Sequence, residues 1–194
     1  MNKVAVTDIA CGRLPGGVPI DQAHNNPNLL CMSSHCWVLS SDGKSVLMQK
    51  RAKNMFCNPG LYDISLAGHI DGDEEPLEAM LREAYEEGGV RLNGRLLEPK
   101  GPVYIAEESC GRDGSRWLHN QLIYVYFAVL DKNEMRKTSN DEDVAHFEWW
   151  SLDTFALRVT DPIYKKMSPH PHSYYQFVTK KLYDLQRARA KISA

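Results

Sequence analysis

Three glutamates, Glu83, Glu86 and Glu87, stand at i, i+3 and i+4 in a stretch whose apolar residues recur with helical spacing. On a helix this puts three carboxylates on one face within a single turn. Like charges so placed repel, and each pair weakens an isolated helix by about 0.2–0.5 kcal/mol. A shared cation removes the repulsion, and hard carboxylate oxygens suit Mg²⁺ or Mn²⁺. Mg²⁺ held by few carboxylates keeps waters and open positions, which suits a polyphosphate substrate. The surrounding segment is acidic: residues 68–90 hold eight acids and one base, Arg82, whereas the rest of the chain carries a net charge of +5. A dense acidic segment in a basic frame can bind cations and present them to an anion. A solvated acidic helix face has the same charge count, so the spacing carries the argument.

The elements that must position these glutamates follow from pattern. A helix is expected from Glu75 to about Gly88, with Asp73 as its cap, Pro76 in its first turn and Gly88-Gly89 as its stop. Leu77, Leu81 and Ala84 would form its apolar stripe. Upstream, two apolar runs, His35–Leu39 and Val46–Met48, flank Ser41-Asp42-Gly43-Lys44 and predict a hairpin. A loop at 52–62 and a short strand at Ile64–Leu66 lead into the acidic segment. Further strands are expected at 102–108, 117–130 and Phe147–Leu152, with a helical stretch at 153–158 and an amphipathic helix over 173–191. Residues 1–30, rich in Gly, Pro and Asn, read as an irregular arm or an added edge strand, and 31–194 as the domain proper. The architecture predicted is an α/β fold, a mixed sheet flanked by helices.

Composition narrows the class. A chain of 194 residues, 43% hydrophobic and 25% charged, fits one globular domain and excludes collagen-like and wholly disordered readings. The longest apolar run, Leu122–Leu130, is far short of the ~20 residues of a membrane span, and the N-terminus lacks the apolar core of a signal peptide. Five cysteines without a CxxC pair suggest buried thiols in a reduced, cytoplasmic setting.

The series Gly68-x₅-Glu74-x₇-Arg82-Glu83-Ala84-Tyr85-Glu86-Glu87-Gly88-Gly89-Val90 is similar to the signature of the Nudix hydrolases. It departs only at Ala84, where a larger aliphatic residue is usual. The resemblance extends over about 34–152 and implies an α/β/α sandwich around a mixed sheet, with the signature forming a loop–helix–loop. It implies that Glu83, Glu86 and Glu87, with the backbone carbonyl of Ala67, hold Mg²⁺, for which Mn²⁺ can substitute. Arg82 would orient the glutamates, Glu74 would brace the loop, and Gly68 and Gly89 would serve the backbone. The reaction implied is attack of a metal-activated water on a diphosphate, in a nucleoside diphosphate linked to another moiety. The resemblance leaves a homodimer open.

Outside the signature the candidates are fewer. Glu142, in a loop with Asp141 and Asp143, stands where several family members keep an extra base or metal ligand. Arg51, beside Lys50 and Lys53, is a candidate phosphate contact. Tyr62 and Trp117 are candidates for stacking a base, and His69 for packing the loop. The basic C-terminal helix reads as a solvated face, so neither a nucleic-acid nor a membrane partner is expected.

Two rival readings remain. The stretch Tyr62–His69 is similar to the active-site segment of isopentenyl-diphosphate isomerases. Yet Ala67 stands where that resemblance implies a catalytic cysteine, and His119 and Gln121 where it implies paired glutamates. A non-catalytic nucleotide- or RNA-binding module of the same fold would be expected to have lost signature glutamates, and none is missing.

Overall fold

The computed structural model describes residues 3–24, 26–111, 113–135 and 142–192. The N-terminal part holds β1 (Lys3–Val4), β2 (Val6–Asp8), β3 (Gly12–Arg13), β4 (Val18–Pro19) and the one-turn helix α1 (Ile20–His24). Then follow β5 (Leu29–Ser40), β6 (Ser45–Arg51), β7 (Tyr62–Asp63), β8 (Leu66–His69), α2 (Pro76–Gly88), β9 (Leu96–Cys110) and β10 (Arg116–Leu130). The chain ends with β11 (Val144–Ser151), α3 (Leu152–Thr160) and α4 (His172–Ile192). Residues 3–24 are thus built of short paired strands: β1 pairs with β4, and β2 joins the main sheet along the start of β5.

The main sheet runs β11-β6-β5-β10-β9, with β5 and β10 parallel and the other neighbours antiparallel. Both faces of β5 and β10 are covered. Trp37, Phe127, Phe155, Val178 and Leu182 pack under α3 and α4, whereas Cys36, Val38, Tyr126 and Ala128 pack with Met80 and Ala84 of α2. Alternate residues therefore serve opposite cores, and the strands read as continuous apolar runs. This is the α/β/α sandwich expected. Among the described residues, no helix is long and apolar enough to cross a membrane.

The edge of β5 opposite β10 is shared. The hairpin strand β6 pairs with it only at Leu39↔Val46, and β8 takes that place at Ser33–Cys36. β6 is meanwhile continued by β7 at Gln49↔Asp63 and Lys50↔Tyr62. The expected strand at Ile64–Leu66 is thus two short strands, because neighbouring residues pair with different partners.

Three local expectations need correction. The N-cap of α2 is Glu75, whose side chain forms a reciprocal capping box with Glu78; Asp73 instead accepts from the Gly16 amide at 2.7 Å. The buried stripe of α2 is Ala79, Met80, Ala84, Glu87 and Gly88, while Leu77 is 49% exposed. Cys31 and Cys36 are buried as thiols, but Cys11 is exposed and Cys57 only half-buried. Asp141 and the side chains of Trp117 and Cys110 lie outside the described residues.

Candidate active site

A cavity of about 610 Å³ lies where β6 and β8 part from one another along β5. Its acidic wall is α2. The helix starts with Pro76, whose missing amide hydrogen is no loss in a first turn. It stops at Gly89, which adopts φ 63° and returns its amide to the Tyr85 carbonyl while Val90 bonds to Ala84. Met80 and Ala84 anchor one face in the core, and this aims Glu83 and Glu87 at β8.

Contact with β8 is close. A Cβ on Gly68 would lie 1.9 Å from Glu83 Oε1 and 2.6 Å from Oε2, so only glycine lets the carboxylate reach the strand. The buried Glu87 accepts the Ala67 amide at 3.0 Å. In an antiparallel ladder the N–H and C=O of one residue point to the same side, so the Ala67 carbonyl also faces the glutamates.

Arg82 ties the acids together. Its Nε and Nη2 donate to the two oxygens of Glu74 at 3.0 and 2.9 Å, and Nη2 also donates to the His69 carbonyl at 3.0 Å. Nη1 donates to Glu83 at 2.8 Å and to Glu86 at 3.1 Å. The hydrogen bonds to Glu74, with those to Glu83, raise the guanidinium pKa above its usual value. Burial opposes ionisation of Glu74, but Arg82 outweighs it and holds that carboxyl below its usual range. Glu74 also accepts the Asp71 amide at 3.1 Å, closing the turn before α2.

These residues fit a hard divalent cation. Two little-exposed carboxylates, a third at 52% side-chain exposure and a backbone carbonyl converge around a glycine that leaves room for them, and one arginine does not neutralise all three. Oxygen donors in this number suit Mg²⁺ with waters completing its shell.

The sequence model of the NUDIX domain matches residues 31–170, more than half of the chain. The chain belongs to the Nudix family. Over 96 residues this Nudix protein is 28% identical to Nudix hydrolase 3 of Arabidopsis thaliana, a stretch covering 50% of this chain but only 12% of that protein. Over 132 residues it is 25% identical to the isopentenyl-diphosphate Delta-isomerase of Citrobacter koseri, covering 68% of each. The crystal structure of DR0079 from Deinococcus radiodurans superimposes with a TM-score of 0.64 at 15% identity, over 93% of this chain and 99% of that one; the likeness concerns the fold. The chain is an enzyme of the Nudix hydrolase family.

The remaining predicted residues of this Nudix hydrolase divide into two groups. Arg51 lines the cavity, but its Nη1 is paired with Asp63 at 3.1 Å and its Nε donates to the Cys57 carbonyl. Tyr62 is not in the cavity wall: its ring packs edge-on against Trp150, with the Lys50 ammonium 3.8 Å from its centroid. One residue along a strand reverses the face, so it is Asp63, not Tyr62, that turns inward. Glu142 is exposed and outside the wall, whereas its neighbour Asp143 lines it. Among the wall residues that escaped sequence reasoning are Asp63, His170 and Phe56. The buried carboxylate of Asp63 accepts from Arg51, from His170 Nε2 at 3.2 Å and from the Ile64 amide at 2.9 Å. Burial works against its charge, but His170 and Arg51 outweigh it and hold the carboxyl well below its usual range. Phe56, 49% exposed in the 52–62 loop, is the aromatic ring at the mouth. Only its place in that loop hinted at it.

Proposed function

We propose that this Nudix hydrolase is a divalent-metal-dependent pyrophosphohydrolase acting on a nucleoside diphosphate linked to a second moiety. The observation that carries the reading is the Gly68 contact: a glycine whose every substitution collides with Glu83 has no use in a merely solvated acidic helix. Glu83, Glu86, Glu87 and the Ala67 carbonyl would hold the ion, Mg²⁺ or Mn²⁺. Bound there, such an ion polarises phosphoryl oxygens and lowers the pKa of a coordinated water. The protein's own part is positioning. Arg82 fixes Glu83 and Glu86 relative to Glu74, and the Ala67 amide fixes Glu87. Arg51, held by Asp63, presents a cation to the phosphates, and Asp143 is the loop acid placed to take a proton from water. Phe56 offers a face on which a base can stack. A cavity of about 610 Å³ suits a nucleotide-sized ligand. The few cysteines and their spacing support a cytoplasmic location.

The isomerase relatives do not lend their reaction. The side chain at position 67 is a methyl group, which exchanges no proton with carbon. Gln121 carries an amide bonded to Ser33 Oγ at 3.1 Å.

A panel of nucleotide diphosphate derivatives and isopentenyl diphosphate, assayed for phosphate-bearing products with Mg²⁺ and with EDTA, tests the reading. Cleavage that stops in EDTA and falls at least ~10²-fold in Glu86→Gln and Glu87→Gln supports it. Turnover after metal stripping, near-normal rates in both variants, or isomerisation without cleavage would overturn it.

A further inference from the structure

The loop between β8 and α2, residues 70–75, carries Glu74 and sets where the glutamate helix begins. Its main chain is held by the N-terminal segment, which the sequence reads as an arm apart from the domain. The Gly72 amide donates to the Lys3 carbonyl at 3.1 Å, and the Gly16 amide to Asp73 Oδ1 at 2.7 Å. Arg13 makes the most contacts. Its Nη2 donates to the Gly72 carbonyl at 3.2 Å and to the Glu74 carbonyl at 2.6 Å, while Nη1 lies 3.5 Å from Glu75 Oε1. Glu74 is therefore gripped at both ends by guanidinium groups, its carbonyl by Arg13 and its carboxylate by Arg82.

Arg13 stands on a firm base. In the β2–β3 hairpin Thr7 pairs with Arg13 and Asp8 with Gly12, and the Asp8 carboxylate closes the turn by accepting the Ala10 and Cys11 amides at 2.8 and 3.1 Å. β2 also runs along β5 of the main sheet, from Val6↔Cys31 to Asp8↔Leu29. One line of contacts thus leads from β5 through β2, β3 and Arg13 to Glu74, and through Arg82 to Glu83 and Glu86. The use of the donors separates placement from charge compensation. A cation needed only to offset acids would sit on carboxylates, but Arg13 gives Nη2 to two main-chain carbonyls. Its one carboxylate neighbour, Glu75, has a side chain 70% exposed, where an ion pair adds little. The planar guanidinium fixes the direction of both hydrogens, which a lysine ammonium does not.

We propose that Arg13 is a positioning residue of the metal site. By fixing the loop backbone at Gly72 and Glu74 it sets Arg82, and through Arg82 it sets Glu83 and Glu86 at the spacing a divalent ion requires. It touches neither ion nor substrate, and the inference rests on the reading of the three glutamates as a metal site. Mg²⁺ demands near-ideal octahedral geometry, so carboxylates that wander hold it less tightly. Glu87 is fixed independently by the Ala67 amide, so loss of Arg13 weakens the site without abolishing it.

The test measures Mn²⁺ binding to the full-length protein by the spin-resonance signal of the free ion, and amide hydrogen exchange in the metal-free protein. Arg13→Ala should weaken Mn²⁺ binding about 10-fold. It should also speed exchange at the Gly72 and Glu74 amides while leaving α4 unchanged. Arg13→Lys keeps the charge without the fork and should still bind Mn²⁺ at least about threefold more weakly; it decides the matter alone where the alanine variant fails to fold. Because Arg13 acts through Glu74, the Arg13→Ala/Glu74→Ala double variant should bind Mn²⁺ no more weakly than Glu74→Ala. An Arg13→Lys variant indistinguishable from the wild type overturns the proposal, as do additive losses in the double variant. So does an Arg13→Ala variant whose Mn²⁺ affinity and loop exchange match the wild type. Mn²⁺ bound with the expected dependences but without cleavage of any diphosphate refutes only the hydrolase reading. Metal-dependent cleavage with Mn²⁺ binding indifferent to Arg13 refutes only the role of Arg13.

Discussion

Alanine at Gly68 adds one methyl group at the closest approach between α2 and β8. Its carbon would stand 1.9 Å from Glu83 Oε1, whereas real contacts of this kind stay above 3.0 Å. The carboxylate must therefore retreat by about 1 Å, and a misplacement of that size costs ~10²-fold in rate. In barrier height this is about 2.7 kcal/mol. Glu83 is the movable end of a flexible side chain, so the fold absorbs the change by rotating it and loosening its 2.8 Å bond to Arg82. Stability should fall by no more than about 1 kcal/mol, leaving Tm within about 4 °C of the wild type. The assay is kcat at saturating Mg²⁺ on the best substrate of the panel, for Gly68→Ala, Glu83→Gln and the double variant. Because the methyl acts only through Glu83, the double variant should be no slower than Glu83→Gln alone. A Gly68→Ala enzyme within a factor of about three of wild-type kcat would refute the reasoning, as would additive losses in the double variant.

At the preceding residue, Ala67→Cys should keep most of the hydrolysis, because a thiol leaves the backbone carbonyl in place, and it should produce no allylic isomer. Ala67→Leu should be far slower, since a branched side chain pushes β8 away from Glu83 and Glu87; paired phosphate-release and isomer assays check both. Asp63→Asn should destabilise the protein by about 3 kcal/mol in urea unfolding at neutral pH, by leaving Arg51 and His170 without their buried partner. Because the folded carboxyl titrates below its unfolded value of 3.8, this contribution is complete above that pH and is lost as pH falls below it. The gap between wild type and variant should therefore narrow in acid. Met80→Ala should cost about 2–5 kcal/mol, whereas Leu77→Gln on the same helix should stay within about 0.5 kcal/mol.

The sequence by itself determined the acidic helix, its stop at Gly89, and the grouping of Glu83, Glu86, Glu87, Arg82 and Glu74. Glu83, Glu86 and Glu87 lie within about one turn, where helix geometry converts spacing directly into proximity; the roles of Arg82 and of Glu74, eight residues before it, came from the resemblance to the Nudix signature. The hairpin of β5 and β6 and the final helix were legible for the same reason, since period and turn chemistry are local. Position within the core was not. Both Leu77 and Met80 fit an apolar stripe, and only the way α2 lies on Leu66 and Tyr126 buries the second and exposes the first. Asp73 was the stronger cap by residue type, but the Gly16 amide of the N-terminal segment claims it. Tyr62 was the wall candidate by residue type, but strand pairing turns the neighbouring Asp63 inward instead. The Asp63–His170 contact spans 107 residues, and His24 of α1 meets His69 of β8 and His119 of β10. No periodicity links such positions; sheet register and the docking of α1 bring them together, and these are decided by how the whole chain buries its apolar surface.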